Sequence, residues 1–340
     1  MNKSERRNNF NILRFLFASL VIVSHVPELQ DGNRSNEILT RIFGTISFGE
    51  MAVDSFFVLS GFLIVKSWLA RPRILPFLTS RILRIYPGFI ASALVCALIV
   101  GPLYGEQSYL QDMDRSRFLR GLVTLNLVRI PPVFPGSPHP ALNGALWTIP
   151  YEFTCYLLVL FCGLTGILKQ RWIWLSLFLS CAAVHVACSL GTLSLTFDVY
   201  FRFGMLFAAG GCFYLYRNQI PWRGDLALIA LLVFAGLLFI APLAEPAVAV
   251  MWGYAILYYA MNGTRFLWYN RLPDISYGVY LYAWPINKMV LWHFPALNIY
   301  AAMTAVFALS VLAGIVSWYL VERPFMKLKK LFRHGGIFQH

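Results

Sequence analysis

Long apolar stretches alternate with short polar ones along this chain from end to end. Each apolar stretch is about 20 residues long, which is the length that a helix needs to cross the hydrocarbon core of a bilayer. The first stretch is too long, and lacks the small-residue cleavage site, for a removable signal peptide. The pattern predicts an all-α polytopic membrane protein with about ten transmembrane helices, near residues 10–29, 47–69, 86–105, 144–167, 172–191, 198–217, 224–242, 245–262, 275–295 and 297–321.

The composition agrees with this pattern, because 59% of the 340 residues are hydrophobic and only 13% are charged. No linker, low-complexity segment or soluble domain interrupts the apolar stretches. We therefore expect residues 1–340 to form a single transmembrane domain with no appended soluble domain. The six cysteines lie within or at the edges of apolar stretches and lack metal-ligand spacing, so we expect no disulfide and no metal site.

The net charge of +13 could indicate a nucleic-acid partner, but its distribution points to membrane topology instead. With the N-terminus inside, the cytoplasmic segments hold 19 of the 28 lysines and arginines, whereas the outer segments hold six. Basic residues accumulate on the cytoplasmic side of membrane proteins. The charge pattern therefore predicts that both termini are cytoplasmic and gives no reason to expect nucleic acid.

The first apolar stretch carries an arginine and a histidine, Arg14 and His25. Eleven residues of an α-helix turn through about 1100°, so both side chains share one face and stand roughly 16 Å apart along the axis. Ionisable groups inside a membrane helix are costly unless they line a polar cavity, which favours a functional role for His25. Arg14 lies close enough to the membrane boundary that its side chain could instead extend to the lipid headgroups.

Three further charged residues lie within apolar stretches at a depth similar to that of His25: Asp54, Glu152 and Arg202. Their convergence in the outer half of the membrane would give a general base, a carboxylate that orients it and a cation for a developing oxyanion. The alternative is a set of buried ion pairs that hold helices together, for example Arg202 with Glu152. We expect His185 to be a packing hydrogen bonder, and Lys288 to extend outward from the ninth span.

Two longer segments outside the spans add candidates. Arg81 and Arg84 share a helix face at the inner boundary, where they either anchor the topology or form an anion site, since paired guanidinium groups suit phosphates. Residues 106–143 form the longest segment between spans and are rich in proline. A segment of this length either shapes a binding site or is a tolerated surface excursion.

Seven short motifs resemble those of the acyltransferase 3 family, integral membrane enzymes that acylate mainly bacterial surface and exported carbohydrates. They occur in the family's order and run through most of the chain. They are Arg14 with His25, Val53–Phe62, Arg81–Pro87, Trp147 with Glu152, Arg202–Gly204, Ser276–Leu281 and Glu322–Pro324.

The resemblance implies transfer of an acyl group, most simply acetyl from acetyl-coenzyme A on the inner side, to a hydroxyl of an exported or cell-surface carbohydrate. The acceptor would be a polysaccharide such as O-antigen or exopolysaccharide, or a sugar on a lipid carrier. It implies a bacterial inner-membrane location, with no permanently bound cofactor. It assigns catalysis to His25, Glu152 and Asp54, donor binding to Arg14, Arg81 and Arg84, and acceptor or oxyanion contacts to Arg202, Trp147 and Tyr280.

The chain departs from the family pattern at Ala283, because relatives commonly have a histidine two residues before the proline that corresponds to Pro285. Trp284 or Tyr282 could fill the place of that histidine. The alternative function is a transporter or flippase of a lipid-linked saccharide, which would also have many helices and intramembrane charges. Transporters often contain paired internal repeats, and none is evident in this chain. A purely structural membrane partner would leave the intramembrane charges without a role.

Reporter fusions test the predicted orientation. Because basic residues are concentrated in the inner segments, we expect a fluorescent protein fused after His340 to be fluorescent. Alkaline phosphatase inserted within residues 106–143 should be active, since this enzyme folds only outside the cytoplasm. An active alkaline phosphatase at the C-terminus would contradict the orientation.

Overall fold

The computed structural model describes residues 8–126 and 130–333, with side chains up to Lys329. Each predicted span overlaps a helical segment of the described residues, although several bounds differ. The long helices are α1 (Phe10–Asp31), α2 (Phe48–Ala70), α3 (Ile74–Tyr104), α4 (Gly144–Leu164), α5 (Arg171–Ser189), α6 (Asp198–Leu215), α7 (Gly224–Leu237), α8 (241–262), α9 (Ser276–His293) and α10 (299–333). Three short helices cover Ile38–Phe43, Tyr109–Asp112 and Arg115–Thr124. The termini, which we predict to be cytoplasmic, lie outside the described residues.

Six of these helices are long and apolar enough to cross a membrane: α1 to α5 and α10. The other four are shorter or less apolar, in part because they carry polar residues such as Arg202 in α6, Glu245 in α8 and Lys288 in α9. The all-helical, multi-pass character is confirmed, whereas the count of ten crossings stays a prediction.

The contacts divide the described chain into two compact units. The first unit comprises residues 8–17, 38–73 and 151–273, and it therefore contains α2, α5, α6, α7 and α8. The second comprises residues 18–37, 74–126, 130–150 and 274–333, and it contains α3, α9 and α10 together with most of α1.

In the first unit, α2 begins with a capping box in which Ser47 and Glu50 bond each other's backbone N–H groups. The helix crosses α6 at a pair of glycines, Gly61 and Gly210. A Cβ at Gly61 would lie 2.0 Å from the carbonyl oxygen of Phe207, and a Cβ at Gly210 would lie 2.0 Å from that of Val58. The backbones thus approach as closely as small residues permit in membrane helices.

In the second unit, α9 and α10 meet at another glycine contact, where a Cβ on Gly278 would lie 2.9 Å from the Cα of Gly314. The connection between α3 and α4 belongs to this unit and is described over residues 105–126 and 130–143. Tyr109, Val133 and Phe134 are buried in a cluster with Cys96 of α3, and a short β-bridge joins Gly105 to Val133. This connection supplies one wall of the site described below.

The crossing of α2 and α6 makes a prediction about stability. Because backbone atoms cannot move aside as a flexible side chain can, Gly210→Ala should destabilise the protein by about 1–3 kcal/mol or more. Thermal unfolding of the detergent-purified protein, followed by size-exclusion chromatography, measures the loss. The matched control is Gly236→Ala in α7, where a Cβ meets nothing within 4 Å. Equal melting temperatures for the two variants would show that the crossing is not tight.

Candidate active site

The second unit places His25 in a polar setting on α1. Its Nδ1 lies 3.0 Å from Oε2 of Glu28, one turn further along the helix, and the same oxygen lies 3.9 Å from Nε of Arg34. The His25 side chain is 20% exposed, so it is shielded yet reachable. A carboxylate on Nδ1 holds the imidazole proton there and leaves Nε2 as an acceptor, which is the arrangement a general base needs.

An indole packs against this histidine. The ring of Trp284 on α9 meets the His25 ring edge-on, with 4.9 Å between centroids, and the ring of His139 lies 6.2 Å from the same indole. Trp284 donates its Nε1–H to the carbonyl of Ala141 at 3.1 Å. A Cβ at Gly144 would lie 2.6 Å from the indole, so glycine is required for this packing. Trp284 rather than Tyr282 is thus the residue beside Ala283 that contacts His25.

Three side chains on one stripe of α9 hold the segment between His139 and Ala145. They follow at intervals of four residues, and each donates to a backbone carbonyl: Tyr280 to Ala145 at 2.6 Å, Trp284 to Ala141, and Lys288 to His139. The spacing places the three donors on one helix face. The stripe therefore fixes the wall of the His25 site from one side.

This arrangement bears on three expectations. Lys288 is only 4% exposed and bonds the connection, so the expectation that it extends outward was wrong. The Tyr280 hydroxyl is occupied by Ala145 and lies 2.7 Å from Oγ1 of Thr148, whereas Trp147 is 50% exposed. Roles of Tyr280 and Trp147 in acceptor binding stay predictions.

The first unit contains a separate network of buried charges. Asp54 is fully buried, and both of its oxygens lie 3.0 Å from Nη2 of Arg202. Glu245 stands 3.9 Å from Arg202 and from His185, and His185 in turn contacts Asp198 at 3.1 Å. His185 thus forms a buried hydrogen bond, as expected, and its packing role stays a prediction. Arg202 forms a buried ion pair, as the alternative to a catalytic role predicted. Its partner is Asp54 and not Glu152.

Glu152 has its own partners in the first unit. It accepts a hydrogen bond from the hydroxyl of Tyr156, one turn along α4, and lies 3.4 Å from Oγ of Ser60. His25 belongs to the second unit, whereas Glu152, Asp54 and Arg202 belong to the first. The convergence of these four residues on one reacting group stays a prediction.

The predicted donor arginines have different surroundings. Nη2 of Arg84 lies 2.8 Å from Asp274 and Nη1 lies 3.3 Å from Glu322, so two carboxylates compensate its charge. The guanidinium of Arg81 lies 5.4 Å from the ring centre of Phe77. Arg14 is half-buried on α1. Phosphate contacts for all three stay predictions, and the carboxylates favour a structural role for Arg84.

Sequence reasoning missed Glu28 and Glu245. Both stand at or near the end of an apolar stretch, where an acidic residue is usually solvated. The signal for Glu28 was its i, i+3 spacing from His25, which places both on one helix face. His139 was missed because nothing local distinguishes it within a polar connection.

The chain is similar to known proteins along most of its length. A family model described as an acyltransferase domain matches residues 7–322. The chain is 26% identical to an O-acetyl transferase of Shigella phage Sf6 over 96% of this chain and 97% of that protein. It is 31% identical to nodulation protein 10 of Rhizobium leguminosarum bv. viciae over 46% of this chain and 44% of that protein. No solved structure matches.

From the pairing of Asp54 with Arg202 we predict how substitutions change the melting temperature. Removing one partner leaves a buried charge uncompensated, which typically costs about 3–5 kcal/mol. Arg202→Ala and Asp54→Ala should each lower the melting temperature strongly, and the double variant should lose less than the sum of the two. Arg223→Ala is the control, since that arginine forms a solvent-exposed pair with Asp225. If Arg202→Ala melts where Arg223→Ala does, the buried pair does not hold the unit together.

Proposed function

Because this multi-pass membrane protein belongs to the acyltransferase 3 family and is an O-acetyltransferase, we propose that it acetylates a hydroxyl of an exported or cell-surface carbohydrate. The donor in this proposal is acetyl-coenzyme A, used from the cytoplasmic side of a bacterial inner membrane that the chain crosses ten times. The observation that carries the proposal is the His25–Glu28 contact, a shielded imidazole with one ring nitrogen left for an acceptor hydroxyl.

In the proposed mechanism, Nε2 of His25 takes the proton of the acceptor hydroxyl as its oxygen attacks the thioester carbonyl. A new C–O bond forms, the C–S bond breaks, and the imidazolium returns the proton to the coenzyme A thiolate. Glu28 stabilises the imidazolium and fixes the tautomer, because it is the carboxylate in contact with Nδ1. Glu28 therefore takes the orienting role that the sequence suggested for Glu152 or Asp54.

The roles of the other predicted residues follow from their partners. Asp54 and Arg202 neutralise each other in the first unit, which supports a helix-holding role for both. Arg84 positions its helix against Asp274 and Glu322. We keep Arg81 as a proposed contact of the donor phosphates, because guanidinium groups bind phosphate oxygens bidentately. The same role for Arg14 on α1 is proposed on its own.

Substitution of His25 tests the chemistry. We expect His25→Ala to lower acetyl transfer by about 10²–10⁴-fold, as the loss of a general base typically does. Glu28→Gln should lower the rate less, since the imidazole remains while its orienting charge is lost. Transfer of radiolabelled acetyl to acceptor by purified protein gives both rates.

The matched control is His293→Ala, since His293 bonds Tyr104 at 2.9 Å and is exposed. That variant should keep the wild-type rate. If His25→Ala also transfers acetyl at the wild-type rate, His25 is a packing residue and the assignment fails. A defect in saccharide export, with unmodified acceptor in every strain, would favour the transporter.

Arginine substitutions test the donor site. We expect Arg81→Ala to raise KM for acetyl-coenzyme A with little change in KM for the acceptor, and Arg81→Lys to rescue partly. Arg84→Ala should instead reduce the amount of folded protein, because Asp274 and Glu322 lose their shared cation. Arg73→Ala, which removes an exposed charge from the same basic segment, controls for topology. Donor kinetics equal in Arg81→Ala and Arg73→Ala would remove Arg81 from the donor site.

A further inference from the structure

Lys288 is a buried cation with neutral partners. It lies within α9, is 4% exposed, and donates from Nζ to Oγ of Ser137 and to the carbonyl of His139. Its ammonium also lies 5.2 Å from the ring centre of Phe134. Within residues 8–126 and 130–329, no carboxylate forms an ion pair with it.

The bonding of this ammonium is incomplete. An ammonium group has three N–H donors, and two of them are used by Ser137 and His139. A buried charge is costly unless a counter-charge and hydrogen bonds compensate it. One N–H donor of Lys288 therefore has no oxygen partner within the described residues and is available to a ligand.

Lys288 is one of the residues that line a cavity of about 350 Å³ in the second unit. This volume falls within the usual range for small-molecule sites, about 300–1,000 Å³. Leu29 and Gln30 of α1, Phe134 of the connection and Trp292 of α9 also contribute to the walls. Trp292 is 43% exposed and offers an aromatic face, the surface on which the apolar side of a sugar ring packs.

On both α1 and α9, the residues that line the cavity follow those of the His25 site by one helical turn. Leu29 follows His25 by four residues on α1, and Lys288 follows Trp284 by four residues on α9. Residues four apart stand on the same helix face about one turn, or roughly 5–6 Å, apart. A ligand in the cavity can therefore present a hydroxyl to His25 while another of its groups meets Lys288.

We infer that this cavity is the acceptor subsite and that it selects an acidic sugar, whose carboxylate binds the Lys288 ammonium while its ring packs on Trp292. The inference rests on the proposed function for the identity of the reacting hydroxyl. The inference adds to the proposed function the class of acceptor, which is a saccharide that contains a uronic acid. It also names Lys288 as the residue that recognises this acceptor.

Binding without the donor tests the inference. Purified full-length protein in detergent is titrated by calorimetry with trigalacturonate and, as the neutral match, with maltotriose. We expect trigalacturonate to bind more tightly, and its affinity to fall with added salt. Lys288→Met should weaken its binding about tenfold to a hundredfold, as loss of a charged hydrogen bond does, and leave maltotriose unchanged. Lys288→Arg should retain the preference.

One control variant removes a lysine elsewhere in the chain, and a second binding-site variant is available if Lys288→Met does not fold. Lys327→Met removes an exposed lysine of α10 and should bind like the wild type. If Lys288→Met does not fold, Trp292→Ala provides the second variant, and it should weaken the binding of trigalacturonate by removing the aromatic face.

Three results would overturn the inference. They are equal affinities for the acidic and neutral sugars, unchanged affinity in Lys288→Met, and tighter binding of glucose 1-phosphate than of glucuronate, which would assign the cation to a carrier phosphate. The binding assay contains no acetyl-coenzyme A and is independent of the transfer assay. If the binding assay gives one of these results while acetyl transfer still depends on His25, only the acidic subsite is ruled out. Loss of His25-dependent transfer would instead remove the proposed function.

Discussion

Each compact unit depends on the pairing of charges that the membrane would otherwise reject. An isolated ion in hydrocarbon is so costly that it must find a partner within the protein. In the first unit, Asp54 and Arg202 meet this constraint with two contacts of 3.0 Å, which join α2 to α6. In the second, Arg84 joins α3 to Asp274 and Glu322. These contacts join helices within each unit, and α2 and α6 also meet at the close crossing of Gly61 and Gly210.

The chemistry that we propose uses groups whose pairing is left incomplete. His25 is satisfied at Nδ1 by Glu28 and has a second ring nitrogen for a substrate proton. Two of the three N–H donors of Lys288 bond neutral oxygens, and we propose that the third meets a ligand. Lys288 belongs to the stripe on α9 that holds the connection between α3 and α4, and His25 packs against Trp284 of the same stripe. Complete pairing thus joins helices within each unit, and incomplete pairing marks the two groups that we propose to meet substrate.

The sequence was sufficient to predict the helices, because apolar stretches of membrane length leave few other structures possible. It was also sufficient to single out Asp54, Arg202 and His25 as residues with a role, since each is costly where it stands. It could not assign their partners. Arg202 had two candidate carboxylates at similar depth, and only the packing of α2 against α6 decides for Asp54.

The sequence patterns did not identify Glu28 and Glu245 for a related reason. Glu28 and Glu245 stand near the ends of their stretches, where the chain alone cannot distinguish a solvated carboxylate from a buried one. Lys288 was expected to extend toward solvent, because its neighbours in sequence do not reveal that residues 137 and 139 fold back over it. Long-range contacts made by a connection without regular periodicity are the part of this site that sequence patterns do not encode.

The central claim is that one membrane protein takes acetyl from a cytoplasmic donor and delivers it to a sugar outside. Oriented proteoliposomes with acetyl-coenzyme A supplied to one face and acceptor to the other test this most directly. The account predicts acetylated acceptor only when the donor is on the face carrying the chain termini and the acceptor is on the opposite face. Acetylation only when both are supplied on the same face would contradict it.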